Sequence, residues 1–457
     1  MKATMDFDNF QMEIIAADRD LDHSFNNDYS DQPVPAYSIP NLSNHQQTSL
    51  EVNFTGEVDG ANYPGIQWAV GASFYDEDNA VVFGDALFLF GGAVAGTFMR
   101  DLTNVTEARA IYADISVELG GGWGLTAGGR MTKDEREVNV EQFFDLNGVP
   151  WQARTRANFM DRSGWLSTAA IGAPFDNATI EALAENDDRY ATKLDINEFT
   201  SRVVLDYKKS DDLMFYASIA DSFKGGGWAS RVTAVDDFRA LRPEFVTNFE
   251  MGMKSEWAND TVRVNLTYFS ANYTDLQITS VCQTCDPSRG VVFIYSNKAD
   301  ASVDGIESEF VYIASDNLTL FANLSTLEGN YTELRQGAES LATKELKRTP
   351  DFSYRYGFLY DQAIESGEMN VSAVINKTDE YFNNQNNTPP GLRPAVSKLD
   401  FTVTYRPNDG DWRLIASCNN CTDERNVNST LDFSNLNFIT QFQDMPRLWR
   451  ISYRYDF

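Results

Sequence analysis

The sequence predicts an all-β protein, a transmembrane antiparallel β-barrel of about sixteen strands within 457 residues. Three observations carry that expectation. Apolar and polar residues alternate with period two in segments of about ten residues. Short turns and long polar connections alternate along the chain. The last segment, PRLWRISYRYDF, runs to the end of the chain with Trp449, Ile451, Tyr453, Tyr455 and Phe457 on one face.

Strands are expected to begin near residues 6, 48, 66, 107, 123, 198, 213, 244, 262, 303, 318, 352, 368, 395, 412 and 446. In ARAIYADISVEL, Ile111, Ala113, Ile115, Val117 and Leu119 share a face. In TVRVNLTYFS, Val262, Val264, Leu266 and Tyr268 lie opposite Arg263, Asn265 and Thr267. NLTLFANLST, EMNVSAVINK and KLDFTVTYRP alternate in the same way. Short turns are expected at 119–124, 208–213, 257–261, 314–318, 365–368 and 406–412. Long connections are expected at 18–47, 76–106, 136–197, 224–243, 279–302, 332–351, 378–394 and 420–445. Helical periodicity is confined to NATIEALAEN, residues 177–186. A soluble sandwich needs no strict alternation of short and long connections. A barrel with its turns on one side and its loops on the other does show it. Closure removes sheet edges and satisfies every backbone group in lipid.

Lys and Arg number 37 against 67 Asp and Glu, a net charge of −30. That excludes nucleic acid as a partner, since its binders need a basic face. No window reaches the ~18 apolar residues of a membrane helix. The longest apolar run, ALFLFGGAVAGTFM at 86–99, is short and glycine-rich. It is expected in a long loop, as a helix, a hairpin or a misplaced strand pair. MKATMDFDNFQMEIIAADRD has no apolar central stretch and no small-residue cleavage site, so no secretory signal is read there. The two histidines, His23 and His45, do not support histidine metal or acid–base chemistry. No catalytic set can be assembled, and no enzyme, metal site or cofactor is implied.

Several runs resemble the C-terminal barrel of TonB-dependent outer-membrane receptors. LMFYASIADSFKGGGW resembles the family's strand ending in an aromatic–Lys–x–Gly–Gly run. RPEFVTNFEMGMKSEWANDTVRVNLTYFSANYTDLQI resembles its next hairpin, and NKADASVDGIESEFVYIASDNLTLFANLSTLEGNY the one after. RTPDFSYRYGF, CNNCTDERN and ARAIYADISVELGGGWGLTAGGRMTKDER fit further segments in order. The resemblance is dense from about residue 107 to the end.

The resemblance implies a barrel of about 22 strands with a plugged lumen. Residues 1–457 are therefore expected to be a partial barrel domain, without the plug and without the segment that engages TonB. It further implies the Gram-negative outer membrane as location. The implied partners are membrane lipid, the TonB complex and the barrel-assembly machinery, which reads the aromatic C-terminal strand. The implied ligand is scarce, a ferric siderophore first, cobalamin or an oligosaccharide second. A passive porin-like barrel is the first alternative, and a soluble all-β binding protein the next.

Candidate site residues follow. Lys224, Trp228 and Arg231 in FKGGGWASR set an aromatic beside cations near the expected extracellular mouth, which suits an anionic chelate. They also suit an interface aromatic with snorkelling cations. Cys282/Cys285 and Cys418/Cys421 form two Cys-x-x-Cys pairs at the starts of expected extracellular loops. Local disulfides fit that compartment. A four-thiolate zinc site or free or cross-paired thiols are the alternatives. By parity Arg130, Arg202, Arg263, Glu307, Glu309, Arg355, Arg413, Arg450 and Arg454 face the lumen. They meet a ligand there, or they pair with one another or with a lumen-filling domain.

Overall fold

The computed structural model describes residues 1–28, 37–60, 63–89, 93–145, 165–171, 174–229, 232, 234–282, 292–335, 338–434 and 438–456. Its centre is an 18-stranded antiparallel sheet. In chain order the ladder runs β1 (Lys2–Asp6), β2 (Phe10–Asp28), β3 (Tyr37–Gly60), β4 (Tyr63–Leu89), β5 (Ala93–Gly120) and β6 (Trp123–Asp145). It continues through β7 (Lys193–Ser210), β8 (Leu213–Lys224), β9 (Glu244–Trp257), β10 (Val262–Cys282), β11 (Val292–Ser315) and β12 (Leu318–Leu334). It ends with β13 (Phe352–Ile364), β14 (Gly367–Thr378), β15 (Val396–Pro407), β16 (Trp412–Asn419) and β17 (Leu448–Tyr455). Each strand pairs with the next, and the short strand Trp165–Ser167 pairs with the far end of β6. β1 and β17 are the ends of the ladder among the described residues.

Two differences from the sequence reading have physical causes. The strand expected near residue 6 is a hairpin, β1 and β2, closed by the Phe7 N–H donating to the Phe10 carbonyl at 2.9 Å. Its polar turn is too short to interrupt the apolar pattern. The long connections 18–47 and 76–106 are in large part strand. β4 has 27 residues and β5 has 28, where a tilted crossing needs about ten. Beyond lipid the outward face turns polar and the inward face mixes polar and apolar residues, so the period-two hydrophobic signal stops while the hydrogen-bond ladder continues. Within the apolar run 86–99, the backbone of residues 86–89 ends β4 and that of 93–99 begins β5, where Leu87 opposes Gly96 and Phe88 opposes Val94.

The outward face is a continuous apolar band. One row runs Ala127, Val203, Ile219, Phe249 across β6 to β9, each residue opposite the next. Another runs Ala322, Tyr356, Ile375, Leu399 across β12 to β15. Ile111 is 66% exposed, Phe199 65% and Ile219 50%, so these side chains lie against whatever surrounds the sheet. So much contiguous apolar surface marks a lipid-facing wall. At the short-turn end Trp123 sits 4.7 Å from Tyr207, and Trp412 lies between Tyr405 and Tyr453. An aromatic girdle of this kind belongs where lipid meets water.

The turn at 119–124 shows why a triple glycine stands there. Gly120, Gly121 and Gly122 have φ of +86°, +63° and +87°, and a Cβ on Gly122 would lie 2.2 Å from the Lys208 carbonyl oxygen. At the other end, helix α1 (Asn177–Ala184) is capped by Asp176, whose carboxylate accepts from the Thr179 N–H. It packs into a small apolar core with Phe175, Tyr190 and Phe238 beside the inner ends of β5 and β6.

Candidate functional site

The inner face of the wall is polar and largely self-paired. The Tyr112 hydroxyl donates to Glu51 at 2.6 Å, and the Arg130 guanidinium lies 5.3 Å over the Tyr112 ring while bonding Ser73 at 3.0 Å. Arg202 pairs with Asp114 at 2.8 Å, Arg263 with Glu256 at 2.6 Å, and Asn265 donates to Glu309 at 2.8 Å. The Tyr216 hydroxyl donates to Glu250 at 2.5 Å, beside Thr267, which opposes Glu307. Arg355 stands 5.7 Å over Phe321. Arg413 and Arg454 oppose each other across β16 and β17, and Arg450 lies on the same face. The expected lumen set thus shares one wall. Half-exposed pairs such as Arg202–Asp114 contribute about 0–1 kcal/mol each, so they organise a wet interior more than they stabilise it.

The mouth is built where the loop after β8 folds back over the inner face. The Gly226 carbonyl accepts from Arg136 at 2.6 Å, and the Gly225 carbonyl accepts from Gln277 at 3.0 Å. A Cβ on Gly226 would stand 2.3 Å from the Leu241 carbonyl, so the glycine run allows close chain approach. Gly227 and Trp228 then pair with Leu241 and Ala240. Trp228 packs against the α1 core, and its indole N–H donates to the Ala191 carbonyl at 2.7 Å. Its remaining surface lines a recess of about 430 Å³ together with Phe25, Phe83, Leu102, Arg136 and Val138. Arg136 is held by Asp134, which is buried.

Lys224 lies at the end of β8, opposite Glu244 and on the inner parity. Lys347, from the connection between β12 and β13, lies within electrostatic reach of it. The Lys347 ammonium is held below the usual lysine range, first by desolvation and then by Arg348 and Lys224. The residue is exposed, so its desolvation is partial. Sequence reading missed Lys347 because it meets Lys224 only through the fold. Between β14 and β17, Asp444 accepts from Arg393 at 2.9 Å and from Lys398 at 2.8 Å, two cations on one partly buried carboxylate. Arg231 lies outside the described residues.

Cys418 and Cys421 are joined by a disulfide with a Cα–Cα distance of 5.6 Å at the end of β16. Between them Asn420 is buried with φ +50°, and its side chain bonds the carbonyls of Glu424 and Met445. Cys282 closes β10, its backbone opposite Val292, and Cys285 lies outside the described residues. In β17, Trp449, Ile451, Tyr453 and Tyr455 are 69%, 79%, 63% and 47% exposed on the outward face. Phe457 lies outside the described residues.

A wall of antiparallel strands with a lipid-facing band, short turns below and an elaborated mouth above defines an outer-membrane β-barrel. The chain belongs to the family TonB dependent receptor-like, beta-barrel, which it matches over residues 3–421. Solved structures with this fold include the ferric yersiniabactin uptake receptor FyuA from Yersinia pestis, at TM-score 0.75 and 14% identity over 99% of this chain and 60% of that one. The siderophore receptor PiuA from Acinetobacter baumannii has TM-score 0.70 and 15% identity over 99% of this chain and 63% of that one. The ferric citrate transporter FecA, unliganded, has TM-score 0.67 and 15% identity over 98% and 59%. The chain therefore spans about 60% of the length of these structures. These are transport receptors rather than enzymes.

Proposed function

We propose that this chain forms the barrel wall of a receptor that takes up a scarce anionic ligand across the outer membrane, a ferric siderophore before cobalamin or an oligosaccharide. The reading rests on Lys347, which feels the like charges of Arg348 and Lys224 above the inner face. Like charges felt at Lys347 favour an anion beside it, which would relieve that repulsion. The aromatic recess supplies an apolar face. The similarity to siderophore receptors supports the class of ligand. In this reading energy reaches the ligand through TonB and a lumen-filling domain, for which the polar inner wall is the docking surface.

Uptake of a panel of radiolabelled ferric siderophores by cells with and without TonB tests it. TonB-dependent accumulation of at least one chelate, reduced about tenfold or more by Lys224→Glu with Lys347→Glu, is expected. Accumulation that ignores TonB would identify a passive barrel instead. Energy-dependent uptake of cobalamin or an oligosaccharide alone would replace the ligand and keep the receptor.

A further inference from the structure

The chain's two histidines, His23 and His45, stand in polar stretches of the sequence. The fold brings them together. His23 in β2 opposes Ser43, and Leu21 opposes His45 in β3, so the imidazoles are diagonal neighbours. Both lie on the inward face, since Ile14 and Val52, one residue off this parity, belong to the outward band. They share a shallow recess of about 430 Å³ with Arg19, Leu21, Phe25 and Val81. That recess adjoins the one beneath Trp228 through Phe25 and Val81. The His45 Nε2 atom lies 3.2 Å from Glu77, whose other oxygen accepts from the Tyr75 hydroxyl. The His45 Nδ1 atom is buried without a hydrogen-bond partner. The His23 ring packs 5.2 Å from Phe25.

From this geometry we infer a second, proton-controlled anion site in the upper sheet, formed by Arg19, His23 and His45 and suited to a small aromatic carboxylate. The charged groups facing it are Arg19 from β2, Glu77 and Tyr75 from β4, and the Arg136–Asp134 pair from β6. Asp18, Asp20 and Asp22 point outward. With both imidazoles neutral, two cations meet two carboxylates and the recess has no net charge. Protonating both imidazoles gives it two positive charges. An imidazole changes charge between about pH 5 and pH 8, whereas a simple carboxylate stays ionised there. The anion and the buried His45 nitrogen then complete each other: the proton that the anion attracts gives that nitrogen a donor role. Leu21, Phe25 and Val81 favour a ring over an inorganic anion.

The inference does not depend on TonB coupling, and it is tested on binding alone. The full chain in lipid nanodiscs is titrated with salicylate at about pH 5.5 and about pH 8, following the imidazole NMR signals, of which two are expected. Affinity about tenfold higher at the acid pH is expected, together with salicylate-induced upward movement of both imidazole titrations. His23→Gln with His45→Gln should abolish the pH dependence, and Arg19→Gln should weaken binding at both pH values. Equal affinity at the two pH values overturns the proposal, as does unchanged pH dependence in the double variant. Failure here with intact siderophore uptake would leave the receptor reading standing.

Discussion

Lys347 pays for its position at the mouth in its own titration. Its folded-state value lies below the ordinary lysine range through desolvation, then Arg348 and Lys224. Over the interval between the folded and unfolded values the unfolded chain holds more protons, so stability rises with pH there. Below the folded value both states are charged and the penalty is complete. Lys347→Met should therefore raise stability below that interval, by under about 1 kcal/mol because the group is partly screened, while weakening an anionic ligand. An unfolding midpoint that falls would show that the ammonium already has a protein partner. Asn420 makes the opposite case. It is buried, left-handed and bonded to both ends of its loop. Asn420→Ala should cost about 2–4 kcal/mol, and Asn420→Gly less, because glycine keeps the conformation and loses only the hydrogen bonds. Heat-modifiable gel mobility across a temperature series separates the two variants. The lone position in the sequence reveals neither role, since Lys347 depends on Lys224 across the fold and Asn420 on Met445.

At the level of strands, the wall was legible wherever one face meets lipid. The turns at 119–124, 208–213 and 257–261 fall where the alternation stops, and the strand faces follow from residues such as Val262, Val264 and Leu266. The upper extensions of β2 to β6 were not legible. Asp18, Asp20 and Asp22 face water on one side, while Arg19, Leu21 and His23 face a wet interior on the other, so no hydrophobic period marks the strand. The same distinction governs tolerance to charge. Ile219, in the row from Val203 to Phe249, is expected to lose about 2–4 kcal/mol as Ile219→Arg. Asp78 has the same outward parity but sits in the extension opposite Gln46 and Val105, and Asp78→Lys should stay within about 0.5 kcal/mol. Equal losses at the two positions, measured by unfolding in lipid vesicles, would remove the boundary between band and extension. The exposed aromatic face of β17 supports a proposal for Phe457: its deletion should lower assembly into heat-modifiable barrel, and unchanged yield would refute a role as assembly signal.

For the molecule as a whole, the decisive quantity is the net charge of −30 and its placement. One outward row above the apolar band runs Asp18, Thr48, Asp76, Glu107, Glu135, Asp195 across β2 to β7. Four carboxylates therefore stand on four consecutive strands, with neighbours about 5 Å apart in the pairing direction. Like charges directly opposite one another weaken a sheet. The row below places Arg109 and Lys133 against Glu107 and Glu135, but those pairs are exposed, with 64% of the Arg109 side chain accessible. Exposed pairs contribute about 0–1 kcal/mol each and are screened by the same salt that screens repulsion. With 67 acids against 37 bases, repulsion has the larger sum. Raising ionic strength from about 10 mM to about 300 mM shrinks the Debye length from about 30 Å to below 10 Å. The expected result is a higher unfolding midpoint and stronger hydrogen-exchange protection in β2 and β4 above the band. A midpoint that falls with salt would mean that the surface ion pairs outweigh the acidic rows. The upper sheet would then owe its order to attraction between paired charges rather than to a backbone ladder holding against repulsion.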